Sequence, residues 1–397
     1  MESIKDKVAI VGMGLTKFKE HWDKGFRDLI IDATYEAYED AGLETKDIQM
    51  AWMGTVMSGL TALSLSVPLK LDNIPVTRVE NMCCSGSEAL RGACYAVAAG
   101  VCDVALAVGF EKLKDTGFSG VPAGVIGESL LSSSGVEPDL APVALYALLA
   151  TGYAHRYGLT PEELKRSLAL IAVKNHHNGA MSPKAHFQKE ITLEQALNAP
   201  IIAWPLGLFD CCGVSDGAAA AIVTRADMAK NFRDDPIYVK ALSVVAGNRS
   251  GLFQTEYDYS WVEQNAKAAE HAYADAGVKD PLKEINLAEV HDCFTIHEMS
   301  VYEDFGWCPR GTAKDYVENG AFNLDGELAV NSDGGLKCFG HPLGASGLRM
   351  MYEVYKQLQG KAGPRQRKNP QLGLAHNAGG VLGGSLVSTA FIVGNSR

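Results

Sequence analysis

Two segments of this chain, 258 residues apart, repeat the same pattern of glycine, leucine and arginine. A shift by that number places Gly86 on Gly344, Leu90 on Leu348 and Arg91 on Arg349. A second pair of segments, residues 37–42 and 272–277, repeats with an offset of 235. Two matches in the same order indicate a duplicated fold, whose halves differ by insertions between their elements.

The same shift of 258 places Cys83 on His341. If the halves pack about a pseudo-twofold axis, a thiol and an imidazole meet, which is the minimum apparatus for catalysis by a thiolate nucleophile. Cys83 also precedes a predicted helix that begins at Ser85. Because a helix N-terminus and an imidazole both favour the thiolate, we expect the pKa of Cys83 to lie below its ordinary value of about 8.5.

Composition narrows the class of protein. A chain of 397 residues is expected to hold about two to three domain-sized units. A net charge of −11 argues against a nucleic-acid surface, whereas CoA needs only a local basic patch. No apolar run reaches the roughly 18 residues of a membrane span, and the first residues are too polar for a secretory signal. Nine cysteines without disulfide or zinc spacing predict a reducing cytoplasm and no metal.

Continuous apolar strands alternate with helices, which predicts an α/β protein with sheets covered on both faces. The predicted strands are 8–12, 104–109, 218–223, 237–245, 286–290, 372–375 and 386–393, and the main helices are 26–41, 85–99, 262–276 and 345–358. Residues from about 112 to 203 break the pattern with a Gly/Ser-rich stretch, 127–135, and a helix, 161–174. We interpret 112–203 as an inserted loop subdomain. The two halves are then 1–111 with 204–235, and 236–397.

Four ordered motifs resemble those of the thiolase superfamily, along nearly the whole chain. They are Cys83-x-Ser85-Gly86, the stretch 210–219, His291-Asp292-Cys293-Phe294, and Gly340-His341-Pro342. The third replaces the Asn-Glu-Ala-Phe of degradative and biosynthetic thiolases, and resembles the sterol-carrier-protein-type and archaeal-type branch. The resemblance implies a thiolase fold, with two duplicated βαβαβαββ halves layered α-β-α-β-α and an inserted loop subdomain.

The resemblance also implies roles for five residues. Cys83 would carry the acyl group, His341 would activate it, and His291 with a water would form a first oxyanion hole. Gly379 and the backbone of Cys83 would form a second oxyanion hole. The usual second catalytic cysteine is missing from the 375–380 loop, so Cys293 would transfer the proton instead.

The sequence defines the roles of other polar residues near these motifs less closely. His376 and Asn377 either position a water, tune His341 or are structural. His297 and Glu298 are interpreted as an exposed helical turn, and their closeness to Cys293 leaves a role at the substrate open. We interpret the loop at 176–183 as a substrate-lining segment rather than a metal site.

The predicted reaction is thiolytic cleavage of a 3-oxoacyl-CoA by CoA, or the reverse Claisen condensation, catalysed by an acyltransferase. CoA is a substrate here, and neither a cofactor nor a metal is expected. Three alternatives stay open: a decarboxylating ketoacyl synthase, a hydroxymethylglutaryl-CoA-synthase-like enzyme, and a catalytically silent lipid-binding or scaffold subunit. Cys293 favours the thiolase, since a decarboxylating enzyme needs no further base at that position.

The resemblance extends to partners. Thiolase-fold subunits pair through a sheet edge near the nucleophile, which predicts a homodimer or a dimer of dimers. We place this edge at strand 104–109, because an exposed apolar edge is a liability. The chain as a whole resembles thiolases that work with a small OB-fold and zinc-ribbon partner, among them the subunit acting on benzoylsuccinyl-CoA. A bulky or aromatic acyl group is therefore expected, with no nucleic acid and no membrane.

Overall fold

The computed structural model describes residues 3–117, 142–248, 257–383 and 385–397. The strands are β1 (Val8–Leu15), β2 (Met50–Gly54), β3 (Val76–Val79), β4 (Val104–Lys112), β5 (Ile201–Ala203), β6 (Leu206–Gly207), β7 (Asp216–Arg225), β8 (Ile237–Ala246), β9 (Leu287–Glu289), β10 (Ala329–Val330), β11 (Leu372–Val381) and β12 (Ser385–Gly394). The helices are α1 (Phe26–Ala41), α2 (Leu63–Leu69), α3 (Ser85–Ala98), α4 (Pro142–Tyr157), α5 (Pro161–Ala180), α6 (Leu193–Leu197), α7 (Glu263–Ala276), α8 (Pro281–Glu284), α9 (Thr295–Asp304), α10 (Ala313–Glu318), α11 (Gly335–Phe339) and α12 (Leu343–Leu358). The predicted Gly/Ser-rich stretch 127–135 lies outside the described residues.

The strand order repeats, which confirms the duplication. The large sheet runs β10-β9-β11-β12-β8-β1-β7-β4-β2-β3. The first half contributes β1, β2, β3, β4 and β7 to this sheet, and the second half contributes β8 to β12. If the five strands of each half are numbered along the chain, both halves have the order 3-2-4-5-1 from the edge of the sheet to its centre. The halves join where β1 pairs with β8 at only two positions, Ala9 with Tyr238 and Ile10 with Ile237. The two five-stranded halves are thereby hydrogen-bonded into one ten-stranded sheet through this short contact alone.

Helices α3 and α12 form the middle layer between the two halves. They approach so closely that a β-carbon on Gly86 would lie 2.4 Å from the carbonyl oxygen of Gly344. A β-carbon on Gly109 of β4 would lie 2.1 Å from the same oxygen. Helix α1 packs on β1 and β7, and α7 packs on β8 and β12, as the outer layers. The predicted α-β-α-β-α layering is thereby confirmed, and the N-terminal ends of α3 and α12 are brought together.

The predicted sheet edge at 104–109 is wrong. Strand β4 is internal, since it pairs in parallel with β2 and antiparallel with β7. Its residues are apolar because the strand is buried on both faces, and the edges of the sheet are β3 and β10. Subunit pairing through β4 therefore has no structural basis.

The chain between β4 and β7 contributes α4, α5, α6 and the β5–β6 hairpin. Helix α5 continues to Ala180, so residues 176–180 are helical where the sequence predicted a loop. The domain boundaries drawn from the sequence stay a prediction. Across the described residues, no helix combines the length and apolar character that crossing a bilayer requires.

Candidate active site

A tight turn before α3 presents Cys83. Met82 adopts a φ of 51°, a left-handed conformation that non-glycine residues rarely adopt. The turn is closed by the N–H of Cys84, which donates to the carbonyl of Asn81 at 3.0 Å. Cys83 is half-buried, whereas Cys84 is fully buried with its sulfur 3.1 Å from the carbonyl oxygen of Asn377. The geometry leaves Cys83 the accessible thiol of the pair.

The predicted thiol and imidazole groups meet in the structure. The sulfur of Cys83 and one ring nitrogen each of His291 and His341 all lie within 4.8 Å of one another. A second set, in which His291 meets the sulfur of Cys293 and a ring nitrogen of His297, has the same spacing. Four of the five predicted site residues thus occupy one cluster, at the junction of the two halves.

His341 is held with a free lone pair on one nitrogen. Burial, and next the charge of Arg349, lower the pKa of His341 to about 3, so the ring is neutral at pH 7. The hydroxyl of Ser346 donates to the carbonyl of Pro342 at 3.0 Å, so its oxygen accepts from Nδ1 of His341 at 2.8 Å. With its single proton on Nδ1, the ring keeps Nε2 as a base.

His291 holds its proton on the other nitrogen. Burial, and next the charge of His341, lower the pKa of His291 well below 6.5, so this ring is neutral as well. The backbone N–H of Ala378 points at Nδ1 of His291 at 3.3 Å, and Nδ2 of Asn377 lies 2.8 Å from the same atom. A backbone N–H can only donate, so Nδ1 accepts and Nε2 carries the proton. The ring therefore offers a donor to a substrate oxygen.

The expected lowering of the Cys83 pKa is wrong for the resting site. Burial raises the pKa of the Cys83 thiol, and the charges of Cys212 and Glu111 raise it further. The imidazoles of His291 and His341 do not oppose this rise, because both are neutral. The resting nucleophile is a neutral thiol, and it needs a proton transfer to become reactive.

Gly379 lies in strand β11 rather than in the loop that the sequence predicted. A β-carbon there would lie 2.4 Å from the carbonyl oxygen of Asn81 and 2.8 Å from the nitrogen of Cys83. Only glycine lets β11 approach the nucleophile turn this closely. The fifth predicted residue therefore lies beside the backbone of the first.

Three further side chains of the site were missed or misplaced by the sequence. His297, predicted to be exposed, is fully buried beside His291. Tyr146 of α4 lies beside His297 and Cys293, and the thiol of Cys212 lies close to those of Cys83 and Cys293. The position of His297 four residues after Cys293 was a usable signal. Tyr146 belongs to none of the four motifs, and Cys212 lies in the motif 210–219, to which the sequence analysis gave no catalytic role.

A metal ion fits this cluster poorly. The spacing of Cys83, His291 and His341 would suit a cation such as zinc. However, Nε2 of His291 carries a proton, and moving that proton to Nδ1 would set it against the N–H of Ala378. The hydrogen bonds of the described residues therefore favour proton transfer over metal ligation at His291.

Comparison with known proteins identifies the family. The family "Thiolase, N-terminal domain" matches residues 8–227, and "Thiolase C-terminal domain-like" matches residues 248–390. The chain belongs to the thiolase family. It is an acyltransferase of the thiolase type, with CoA-dependent thiolase activity. The predicted branch, of archaeal and sterol-carrier-protein type, is confirmed.

Two relatives extend over nearly the whole chain. The acetyl-CoA acetyltransferase of Methanothermobacter thermautotrophicus is 38% identical over 386 residues, which are 96% of this chain and 98% of the relative. The benzoylsuccinyl-CoA thiolase subunit BbsB of Thauera aromatica is 31% identical over 388 residues, 95% of this thiolase and 96% of its own length. Among solved structures, an Ltp2-ChsH2(DUF35) aldolase superposes with a TM-score of 0.85 at 24% identity, covering 100% of both chains. This last likeness shows a shared fold.

Proposed function

We propose that this thiolase cleaves a 3-oxoacyl-CoA with CoA through an acyl group on Cys83, or runs the reverse condensation. The observation that carries the proposal is the placement of protons beside that thiol. His341 presents a basic nitrogen and His291 presents an N–H, both close to the sulfur of Cys83. One ring then removes the thiol proton, and the other stabilises the oxygen on which negative charge develops.

In the first half-reaction, Nε2 of His341 takes the proton of Cys83, and the thiolate attacks the 3-oxo carbon. The bond between the α- and β-carbons breaks, and its electron pair forms an enolate that the N–H of His291 stabilises. The thiol of Cys293 then gives its proton to the α-carbon, which releases the CoA thioester that contains this carbon, acetyl-CoA when the α-carbon is unsubstituted. Cys83 holds the acyl group, Cys293 is a thiolate and His341 is an imidazolium.

The second half-reaction restores these groups. CoA gives its thiol proton to the thiolate of Cys293 and attacks the acyl group on Cys83. The backbone N–H groups of Cys83 and Gly379 would stabilise the oxyanion of this step. When the tetrahedral intermediate collapses, the thiolate of Cys83 takes its proton back from His341. No proton is gained or lost over the cycle.

Cys293 separates this reaction from the alternatives. A decarboxylating condensing enzyme could use Cys83, His291 and His341 in the same way. It would have no need of a buried thiol that lies within 4.8 Å of His291 and His297. A silent scaffold subunit would need none of these contacts, so the assignment of a proton-transfer role to Cys293 supports the thiolase reaction.

We infer that the acyl group is bulky or aromatic and that a small partner subunit assists. The likeness to the benzoylsuccinyl-CoA thiolase subunit supports the first point. The shared fold with a structure whose name includes a DUF35 component supports the second. A homodimer or dimer of dimers and a cytoplasmic location are also part of this proposal. The free state of the chain's nine cysteines is consistent with that location.

The test is formation of an acyl-enzyme, followed by mass spectrometry of peptides after incubation with a 3-oxoacyl-CoA. Cys83→Ala should abolish the adduct, whereas the neighbouring variant Cys84→Ala should keep most of it. An adduct on Cys84 with none on Cys83 would refute the assignment of the nucleophile.

A further inference from the structure

A chain of hydrogen bonds leads from the backbone of His291 through four buried side chains, the last of which lies beside Cys293. These are His376 of β11, Asn265 of α7, His297 of α9 and Tyr146 of α4, called here the Cys293 network. The first three are fully buried and Tyr146 is 7% exposed. Buried polar groups that are fully paired fix one another's orientation, so the direction of each hydrogen bond can be worked out.

A backbone N–H, which can only donate, sets the direction of all the hydrogen bonds in this chain. The N–H of His291 donates to Nδ1 of His376 at 3.4 Å. Burial, and next the charge of His297, lower the pKa of His376 well below 6.5, so the ring is neutral and holds one proton. That proton is on Nε2, which donates to Oδ1 of Asn265 at 3.0 Å.

The orientation of the Asn265 amide determines which nitrogen of His297 carries a proton. Its oxygen faces His376 and also accepts from the hydroxyl of Ser388 at 2.9 Å. Its Nδ2 therefore faces the other side, 3.1 Å from Nε2 of His297 and 3.3 Å from a carboxylate oxygen of Asp304. This settles the orientation of the amide, which density or geometry alone rarely distinguishes.

His297 is the next residue in this series of hydrogen bonds. Burial lowers the pKa of His297 to about 3, so this ring is neutral too. Because Nε2 accepts from Asn265, the proton is on Nδ1, which lies 3.4 Å from the hydroxyl oxygen of Tyr146. The Tyr146 hydroxyl thus receives a hydrogen bond, and its own hydrogen is left for Cys293. Burial raises the pKa of the Cys293 thiol, and this hydrogen bond acts in the opposite direction.

We propose that Tyr146 is a positioning residue that donates a hydrogen bond to the sulfur of Cys293, with its orientation set by His297 and Asn265. The hydrogen bond is stronger to the thiolate than to the thiol, so it eases the step in which Cys293 gives its proton to the α-carbon. Tyr146 keeps its own proton throughout, and the proton that moves is that of Cys293. The inference rests on the proposed function for the step itself, while the hydrogen bond can be tested independently of it.

The test is the rate at which iodoacetamide alkylates Cys293 as a function of pH, followed by mass spectrometry of peptides from the intact enzyme. Tyr146→Phe should slow alkylation of Cys293 about tenfold at a fixed pH, which corresponds to a thiol pKa about one unit higher. Tyr153→Phe is the matched control, since Tyr153 lies on the same helix and its hydroxyl bonds Glu303 instead. It should leave the alkylation of Cys293 unchanged.

A second pair of variants tests the role of His297. His297→Leu removes the donor to Tyr146 and should slow alkylation of Cys293. His297→Asn places an amide nitrogen near the position of Nδ1 and should restore most of the rate. An alkylation profile of Tyr146→Phe that matches wild type would overturn the proposal, and so would equal rates for His297→Leu and His297→Asn.

Turnover separates this inference from the proposed function. Tyr146→Phe should lower kcat of thiolysis about tenfold, with little change in KM and with normal acylation of Cys83. If wild-type enzyme forms no acyl-Cys83, the proposed function fails while the alkylation profile still reports the hydrogen bond. If Cys83 is acylated and Tyr146→Phe turns over at the wild-type rate, the inference fails alone.

Discussion

His291 and His341 meet edge to face, with ring centroids 5.1 Å apart and planes at 89°, and hold their protons on different ring nitrogens. His291 is protonated on Nε2 because two donors face its Nδ1, and His341 is protonated on Nδ1 because Ser346 accepts there. One ring thus offers a donor and the other a lone pair beside Cys83. Burial keeps both rings neutral, so the two roles do not exchange near pH 7.

Reversing the hydrogen bond at Asn377 should reverse the proton on His291. In Asn377→Asp, a carboxylate would face Nδ1 of His291 and draw the proton there, which removes the Nε2 donor. We expect kcat to fall about 10²–10³-fold, the usual effect of losing one oxyanion donor. Asn198→Asp makes the same change at an exposed position and should keep full activity. Thiolysis rates of the two variants check this, and near-normal turnover of Asn377→Asp would contradict it.

The resting thiol of Cys83 should react slowly at neutral pH. Because its pKa is raised, the thiolate fraction should increase about tenfold per pH unit up to pH 9 and beyond. Alkylation of Cys83 by iodoacetamide, measured without substrate, should follow this slope. His341→Asn should change the rate little, since a neutral imidazole does not stabilise the resting thiolate. A plateau below pH 7 would instead indicate a thiolate–imidazolium pair.

Removing the thiol of Cys293 should separate the two chemical steps. Cys293→Ala is expected to keep acyl exchange between CoA thioesters at Cys83 and to lose about 10²–10⁴-fold in carbon–carbon cleavage, because the proton donor to the α-carbon is gone. Comparing acyl-enzyme formation from a simple acyl-CoA with thiolysis of a 3-oxoacyl-CoA measures both. Cys308→Ala, at another buried thiol, serves as the control for packing. Near-normal thiolysis would show that Cys293 is only packed.

A methyl group at Gly379 should displace the nucleophile. In Gly379→Ala the new carbon would lie 2.4 Å from Asn81 O and 2.8 Å from Cys83 N, so the turn must shift. We expect at least a 10²-fold loss of acylation, because a second oxyanion donor and the thiol move together. Gly25→Ala, where the nearest atom would be 3.7 Å away, should be active. Wild-type acylation rates in Gly379→Ala would disprove the close approach.

The buried histidines should make the fold sensitive to acid. The folded pKa of His341 is about 3 against an ordinary value of 6.5, so below pH 6.5 the unfolded chain binds more protons. Its contribution to stability is present above pH 6.5 and is lost as the pH falls toward 3, by about 2 kcal/mol at pH 5. Urea unfolding should show a smaller loss between pH 7 and pH 5 for His341→Asn. His177→Asn, at an exposed histidine, should retain the wild-type slope.

Much of the fold follows from short-range signals. The helix predicted at 26–41 ends where Gly42 adopts a φ of 68°, as a glycine after a helix does. Strand β4 was located correctly but was placed at an edge, because apolar composition does not reveal which neighbours a strand has. That information resides in the strand order, which depends on contacts between distant parts of the chain.

Some features of the candidate site were likewise predicted from the sequence, and others were not. Cys83 and His341 were paired through the repeat, and the structure brings them together. His297 was interpreted as part of an exposed helical turn, yet it is fully buried and pairs with Asn265. The proton positions on His291 and His341 depend on contacts with Ala378 and Ser346, which no motif states. A resting thiol rather than a thiolate follows from burial, which a pattern of residues does not measure.

Gly86 and Gly344 are the same position in the two copies of the repeat, and each contacts the other's backbone. A side chain on Gly86 would collide with the main chain of its duplicate, and one on Gly344 with the carbonyl oxygens of Phe110 and Gly54. Neither copy therefore has room for a side chain at this position. Three positions earlier the two copies carry Cys83 and His341, so the close approach of two matching glycines brings two chemically different side chains to equivalent places beside one another.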